Sequence, residues 1–188
     1  MCDLSRCVWC GDDPLYRDYH DNEWGQPCRD EKTLFEFLIL EGAQAGLSWI
    51  SILKRREGYR RAFADFDVAA VANFTEVDVD RLVSDSGIIR NRLKIKSAVN
   101  NARQFQKIQC EFGSFSDFIW SYVGHKPVIN HWTEHSQIPA TTPLSDRISK
   151  DMKNYGFTFF GSTICYAYLQ AMGLVNDHVV SCFTHNKS

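Results

Sequence analysis

The chain has 188 residues, 44% of them hydrophobic and 13% aromatic, enough to bury a sizeable core within a single domain over 1–188. Its net charge of −2 supplies no general cationic field, so attraction to nucleic acid has to come from local patches. Seven cysteines beside an N-terminal "MCDLSRCVWC" that lacks an apolar signal core point to a reducing cytoplasm, with thiols free or metal-bound rather than paired.

In chain order, the first 29 residues read as irregular, and a segment that long needs an external restraint. Asp30 caps a helix running to about Glu41, and Ser48 opens a second through "WISILKRREGYRRAF". Residues 34–53 are long enough for a membrane span, but Glu36 and Glu41 lie inside, each costing about 2.5 kcal/mol or more at mid-bilayer, which excludes one. Thr75 and Asp78 match a capping box, and Gly87 suits the turn that ends that helix. A long helix follows from about Asn91 to Cys110, and another from Ser116 to Val123. Residues 124–144, with Pro127, Pro139 and Pro143, read as a long surface connection. Ser145 caps "DRISKDMKNY", which Gly156 stops, and "STICYAYLQAM" ends at Gly173. Strand patterns are few and short, so the fold class is mainly α.

His178 and Cys182 stand at i and i+4, one face of a helix, while Cys7 and His20 lie near the other end. Two thiolates and two imidazoles make a closed tetrahedral structural zinc site, which would fasten the N-terminal segment to the last helix. Spacing alone leaves Cys10 open in place of Cys7, and His185 in place of His178. A zinc deaminase is excluded: it needs a His-x-Glu and a downstream Cys-x-x-Cys, whereas Glu23 is three after His20, and Cys7 and Cys10 lie upstream.

A second signal lies in "DRLVSDSGIIRNRLKIKSAVNNARQFQK", where a helix ends, Gly87, Ile88 and Ile89 make an apolar turn, and a basic helix begins. From Gly87 to Lys107 there are six cations (Arg90, Arg92, Lys94, Lys96, Arg103, Lys107) and no acid. Such a turn offers backbone N–H groups to a phosphate, and the cations add salt-sensitive attraction to a DNA backbone. Lys54, Arg55, Arg56, Arg60 and Arg61 form a second candidate patch. Between that patch and the apolar run Phe35–Ile39 sits Glu41, a lone acid with Leu47 and Trp49 close behind it.

The motifs "DPLYRDYHDNEWG" (13–25), "LEGAQAGLSWISILKRRE" (40–57), "SGIIRNRLKI" (86–95) and "GSTICYAYLQAMGLVNDHV" (161–179) together resemble the type I 3-methyladenine DNA glycosylases, within the helix–hairpin–helix glycosylases. The resemblance spans nearly the whole chain. It implies a two-lobed helical fold with a helix–hairpin–helix region over about 75–110 and one structural Zn2+ held by Cys7, His20, His178 and Cys182. It also implies a base pocket in which Glu41 reads the base, Tyr19 and Trp49 supply stacking walls and a hydroxyl contact, and Trp9, Tyr16 and Trp24 complete the lining. Gly46 and Leu47 match the turn expected to fill the gap left by a flipped nucleotide, with Leu47 as wedge. Gly87, Ile88, Ile89, Arg90, Arg92 and Lys94 are the expected backbone-binding residues. The implied partners are double-stranded DNA carrying alkylated bases and free 3-methyladenine as product, with no membrane and a monomeric enzyme.

The chemistry suits one acid. Alkylation at N3 puts a positive charge on adenine, so the base leaves neutral without being protonated, and a carboxylate is needed for recognition rather than as a proton donor. Many relatives in the wider superfamily place an aspartate 18–20 residues beyond the hairpin, and lyases add a lysine in the turn. Here no Asp or Glu occurs between Asp85 and Glu111, and the turn is Gly87, Ile88, Ile89 and Arg90, which implies a monofunctional hydrolase of narrow scope. Two other readings compete. A DNA-binding module without catalysis has no use for an acid among aromatics, and an interaction protein explains neither hairpin nor acid-free basic helix.

Overall fold

The computed structural model describes residues 4–187, so Cys2 lies outside them. Ten α-helices follow in order: α1 (Pro14–Asn22), α2 (Glu31–Gln44), α3 (Trp49–Leu53), α4 (Arg56–Ala62), α5 (Val68–Ala72), α6 (Glu76–Ser84), α7 (Arg92–Phe112), α8 (Phe115–Ser121), α9 (Pro143–Asn154) and α10 (Ser162–Ala171). Two short strands, β1 (Val128–Ile129) and β2 (Val175–Asn176), pair in parallel with Val128 opposite Val175. The fold is mainly helical, and no helix among the described residues is long and apolar enough to cross a membrane.

α2 is the element the others enclose. Asp30 caps it through Thr33 N at 2.9 Å, and every residue from Leu34 to Glu41 is buried. A helix buried all round has to be covered on all sides, and α7, α8 and α10 do this. Glu31 fixes one junction, its carboxylate accepting the Phe115 and Ser116 amides at 3.1 and 2.7 Å and so satisfying the start of α8. Tyr168 on α10 fixes another by donating to Leu34 O at 3.1 Å.

Several expectations require correction. Residues 4–29 are not irregular throughout: Asp13 accepts from Leu15 N at 3.0 Å and Pro14 occupies the first helical position, a start signal for α1 that its polar composition masks. The helix expected from Ser48 onward breaks into α3 and α4 at Arg55, whose amide bonds only three residues back to Ile52 O. α5, capped by Asp67, is too short to show a helical period. The helix expected from Ser116 to Val123 is α8, which starts at Phe115 behind a Ser114 cap and ends at Ser121, and Thr142 rather than Ser145 caps α9. His178 and Cys182 stand in non-helical chain after β2, so their i,i+4 spacing is not what brings them together. The 124–144 connection is tied down by β1 and by a 3-10 turn, His135–Gln137.

The capping box at Thr75 and Asp78 forms, and Asn91 accepts from Leu93 N and Lys94 N at the start of α7. The turn between α6 and α7 rests on α4 at Gly58, where an added Cβ would lie 2.1 Å from Gly87 O. Backbone meets backbone there, so nothing flexible can give way. Gly58→Ala is therefore expected to lower stability by about 2–3 kcal/mol in urea unfolding. A variant as stable as the wild type would contradict the contact.

Candidate active site

A cavity of about 280 Å³ opens beside α2, at the small end of ligand sites. It gathers all six residues expected of a base pocket: Glu41, Tyr16, Tyr19, Trp9, Trp24 and Trp49. α1 supplies Tyr16 and Tyr19 from one face, three residues apart, and the 3-10 turn Val8–Cys10 supplies Trp9. The Trp9 ring lies 4.9 Å from Trp24 and 5.1 Å from Tyr16, and Tyr19 lies 5.6 Å from Trp49, all as ring-centroid distances. The wall is continuous aromatic surface.

Five further lining residues escaped the sequence reading. Gln44 sits three after Glu41 on the same helix, a spacing that was open to view, and Ala167 and Gln170 share a face of α10 within a motif already singled out. His135 and Ile138 arrive from the 124–144 connection and carried no signal.

Glu41 is 3% exposed, and its Oε2 has no hydrogen-bond partner among the described residues. Burial alone pushes its pKa up to about 8, so the acid favours its protonated form at neutral pH. Trp49 Nε1 is likewise buried without an acceptor among the described residues. Burial also pushes Tyr16 up to about 12, with Cys10 and Glu41 adding to it, so its phenol stays a donor.

The basic patch after the apolar run does not serve Glu41. It serves Glu36, buried on the same helix, which receives Arg56 Nε at 2.8 Å and Arg60 Nε at 3.0 Å. Arg56 also holds Glu23 at 2.7 Å, Lys54 pairs with Asp13 at 2.8 Å, and Arg55 donates to Ser51 O. Most of that patch is thus consumed within the molecule.

Cys7 Sγ, His20 Nε2, His178 Nδ1 and Cys182 Sγ lie within 4.8 Å of one another, all buried. The Cys7–His178, Cys182–His178 and Cys182–His20 separations are 3.6, 3.6 and 3.4 Å. Tetrahedral zinc with ordinary Zn–S and Zn–N bonds puts S and N about 3.6 Å apart, so the donor set fits that ion. Both far nitrogens are oriented, His20 Nδ1 by Asp21 at 2.8 Å and His178 Nε2 by Trp24 O at 3.1 Å, as metal-bound imidazoles require. Of the two alternatives, Cys10 donates to Cys7 O and His185 bonds to Asn130 O, so neither joins the cluster. Trp24 lines the cavity and carries the carbonyl that holds His178, so cluster and cavity share a wall.

Gly46 takes φ +80°, a conformation glycine accepts without strain, in the turn that follows Glu41 and Gln44. Leu47 projects from that turn, 42% exposed. Lys94, expected on a backbone, instead turns inward and donates to Ala43 O and Ala45 O at 2.8 and 2.6 Å, pinning the Gly46 turn to α7. Arg92 pairs with Glu76 and Asp80, and Lys96 with Glu76, so acids of α6 offset part of the positive stripe. In the turn itself, Asp85 accepts the Gly87 amide at 2.7 Å and Tyr59 the Ile89 amide at 3.2 Å. The Arg90 amide has no acceptor among the described residues, and the exposed Arg90 has no ion pair there.

Residues 9–185 match the family model described as methyladenine glycosylase. The chain is 53% identical over 179 residues to DNA-3-methyladenine glycosylase 1 of Escherichia coli (strain K12), covering 95% of this chain and 96% of that protein. A crystal structure of 3-methyladenine DNA glycosylase I superimposes with a TM-score of 0.94 at 50% identity, covering 96% of this chain and all (100%) of that one. A further structure, solved in complex with 3-methyladenine, gives a TM-score of 0.93 at 40% identity over 96% of this chain and 97% of that one.

The unpartnered Glu41 has a measurable consequence. Below pH 4.5 it is neutral in folded and unfolded chains alike; from there to about pH 8 it ionises only when unfolded, so rising pH costs stability; above pH 8 it is ionised in both and the loss is complete. Glu41→Gln removes this term. Its stability relative to the wild type is expected to rise between pH 4.5 and 8, by up to about 1.4 kcal/mol per pH unit, and then level off. A difference independent of pH would contradict the burial argument.

Proposed function

The chain belongs to the methyladenine glycosylase family, and on that premise we propose that it draws 3-methyladenine out of alkylated duplex DNA and hydrolyses its N-glycosidic bond. The observation that carries the reading is the buried, unpartnered carboxyl of Glu41 inside an aromatic cavity sized for one base. A neutral normal adenine gains little there. A base carrying a positive charge favours the ionised acid, and its exocyclic amine donates to the carboxylate, so both interactions select the alkylated base.

Glu41 acts in recognition, with Tyr19 and Trp49 stacking on the base and Trp9, Tyr16 and Trp24 excluding water around it. Stacking of this kind is worth about 1–3 kcal/mol per base and helps offset the cost of leaving the helix. The Gly46 turn, held by Lys94, presents Leu47 to the gap in the duplex, as an apolar wedge does. The α6–α7 turn acts as the hairpin of a helix–hairpin–helix region, with the Arg90 amide and guanidinium toward a phosphate; Gly87, Ile88 and Ile89 shape it, and Arg92 steers from its edge. The bond is already weakened by alkylation, so water is the nucleophile and no lysine adduct forms.

Zinc, held by Cys7, His20, His178 and Cys182, supplies folding energy rather than chemistry, since four protein ligands leave no open position. The same reading takes the chain as one two-lobed domain, acting as a monomer in the cytoplasm, in keeping with its free thiols.

Two experiments test this. Incubation with methylated duplex DNA should release 3-methyladenine, and Glu41→Gln should lower the rate by about two orders of magnitude; no release by the folded wild-type protein would leave a DNA-binding module. Metal analysis should find one zinc per chain, lost in His178→Ala with a fall in Tm, and a metal-free protein of unchanged Tm would remove the zinc proposal.

A further inference from the structure

Asp177 follows β2 and is wholly buried, at 0% exposure, yet it is not left unpartnered as Glu41 is. Asn130 Nδ2 and Trp132 Nε1 donate to its Oδ1, each at 2.7 Å. The Tyr166 hydroxyl and Gln170 Nε2 donate to Oδ2, at 2.5 and 2.7 Å. An amide facing a carboxylate has to present its NH2, so the polarity of Gln170 is set: its Oε1 is turned away from Asp177 and accepts nothing among the described residues. Gln170 lines the same cavity as Glu41, from α10 rather than α2.

We propose that Gln170 is a second reader of the base, its Oε1 accepting one N–H of the exocyclic amine while Glu41 accepts the other, and that Asp177 is the positioning residue that fixes the amide. The inference rests on the base-excision reading and deepens it. A 6-amino group has two N–H bonds to give and is matched by two acceptors. A 6-oxo purine turns lone pairs toward both, and a buried acceptor left facing an acceptor is costly.

Glu41 does not achieve this discrimination by itself. Its carboxyl, pushed up to about 8, carries a proton in the empty cavity and can donate to a 6-oxo oxygen as readily as its ionised form accepts from an amine. Gln170 has no such freedom while Asp177 holds its NH2. The switchable acid accommodates the charge of the base, and the fixed amide enforces its hydrogen-bond pattern.

The test is calorimetric binding of two free bases to the intact protein: 3-methyladenine, and 3-methylhypoxanthine, which carries an oxygen in place of the 6-amino group and a proton on a ring nitrogen. The wild type should prefer 3-methyladenine. Gln170→Met, similar in size but without the acceptor, should weaken 3-methyladenine roughly fivefold and leave 3-methylhypoxanthine no weaker. Asp177→Asn puts an NH2 opposite Gln170, frees the amide to reverse, and should also shrink the preference. A loss of packing would weaken both bases together, so the ratio separates recognition from structure. If Asp177→Asn does not fold, Gln170→Met decides alone. A preference unchanged within about twofold in Gln170→Met overturns the proposal. A wild type that binds no 3-methyladenine overturns the base-excision reading as well, and the two failures are thereby told apart.

Discussion

The site depends on one withheld interaction. Two acids of α2 are buried, Glu36 and Glu41, and the chain spends its nearby arginines on the first. Glu36 is thereby an ordinary paired charge, while Glu41 is enclosed by rings that offer it no cation. A buried carboxyl without a partner is costly, and it persists only because the packing around α2 outweighs it. On the function proposed, a cationic base supplies the missing partner. In that reading the cost of burying the acid becomes selectivity, because interactions the protein denies itself are available only to a guest with the right charge and donors.

The surroundings of the cavity follow from keeping that acid dry and its walls still. α1 holds Tyr16 and Tyr19 on the cavity side and sends His20 into the Cys/His cluster, so a nine-residue helix serves both places. Trp24 closes the other side and, through its carbonyl, orients His178. The cluster joins Cys7 and His20 to His178 and Cys182 behind the aromatic wall. Lys94 plays a comparable part at the rim, where it ties the Gly46 turn to α7.

Much of this was legible in the sequence where a residue type has few other uses. Glu41 stood out as an acid in an apolar run, and the capping box at Thr75 and the helix read from about Asn91 onward gave the two helices that flank the α6–α7 turn. The four cluster residues assembled as expected, although the expected cause was wrong: His178 and Cys182 are placed by the chain after β2 and not by helical spacing. α1 was missed because its single buried stripe is aromatic and histidine in polar sequence, where apolar periodicity is faint. The fate of the cations was not legible, since whether Arg56 or Lys94 faces solvent or an internal acceptor depends on contacts far along the chain. His135 and Ile138 were beyond reach for the same reason.

The most direct measurement is the ionisation of Glu41 itself, followed by carbon NMR of the glutamate side-chain carboxyl with and without 3-methyladenine. The empty protein should titrate near pH 8, and the bound base should bring the carboxyl to its ionised form at a lower pH, because its amine donates to the charged state. A carboxyl that titrates near pH 4.5 in the empty protein, and that does not respond to the base, would contradict both the burial and the recognition assigned to it.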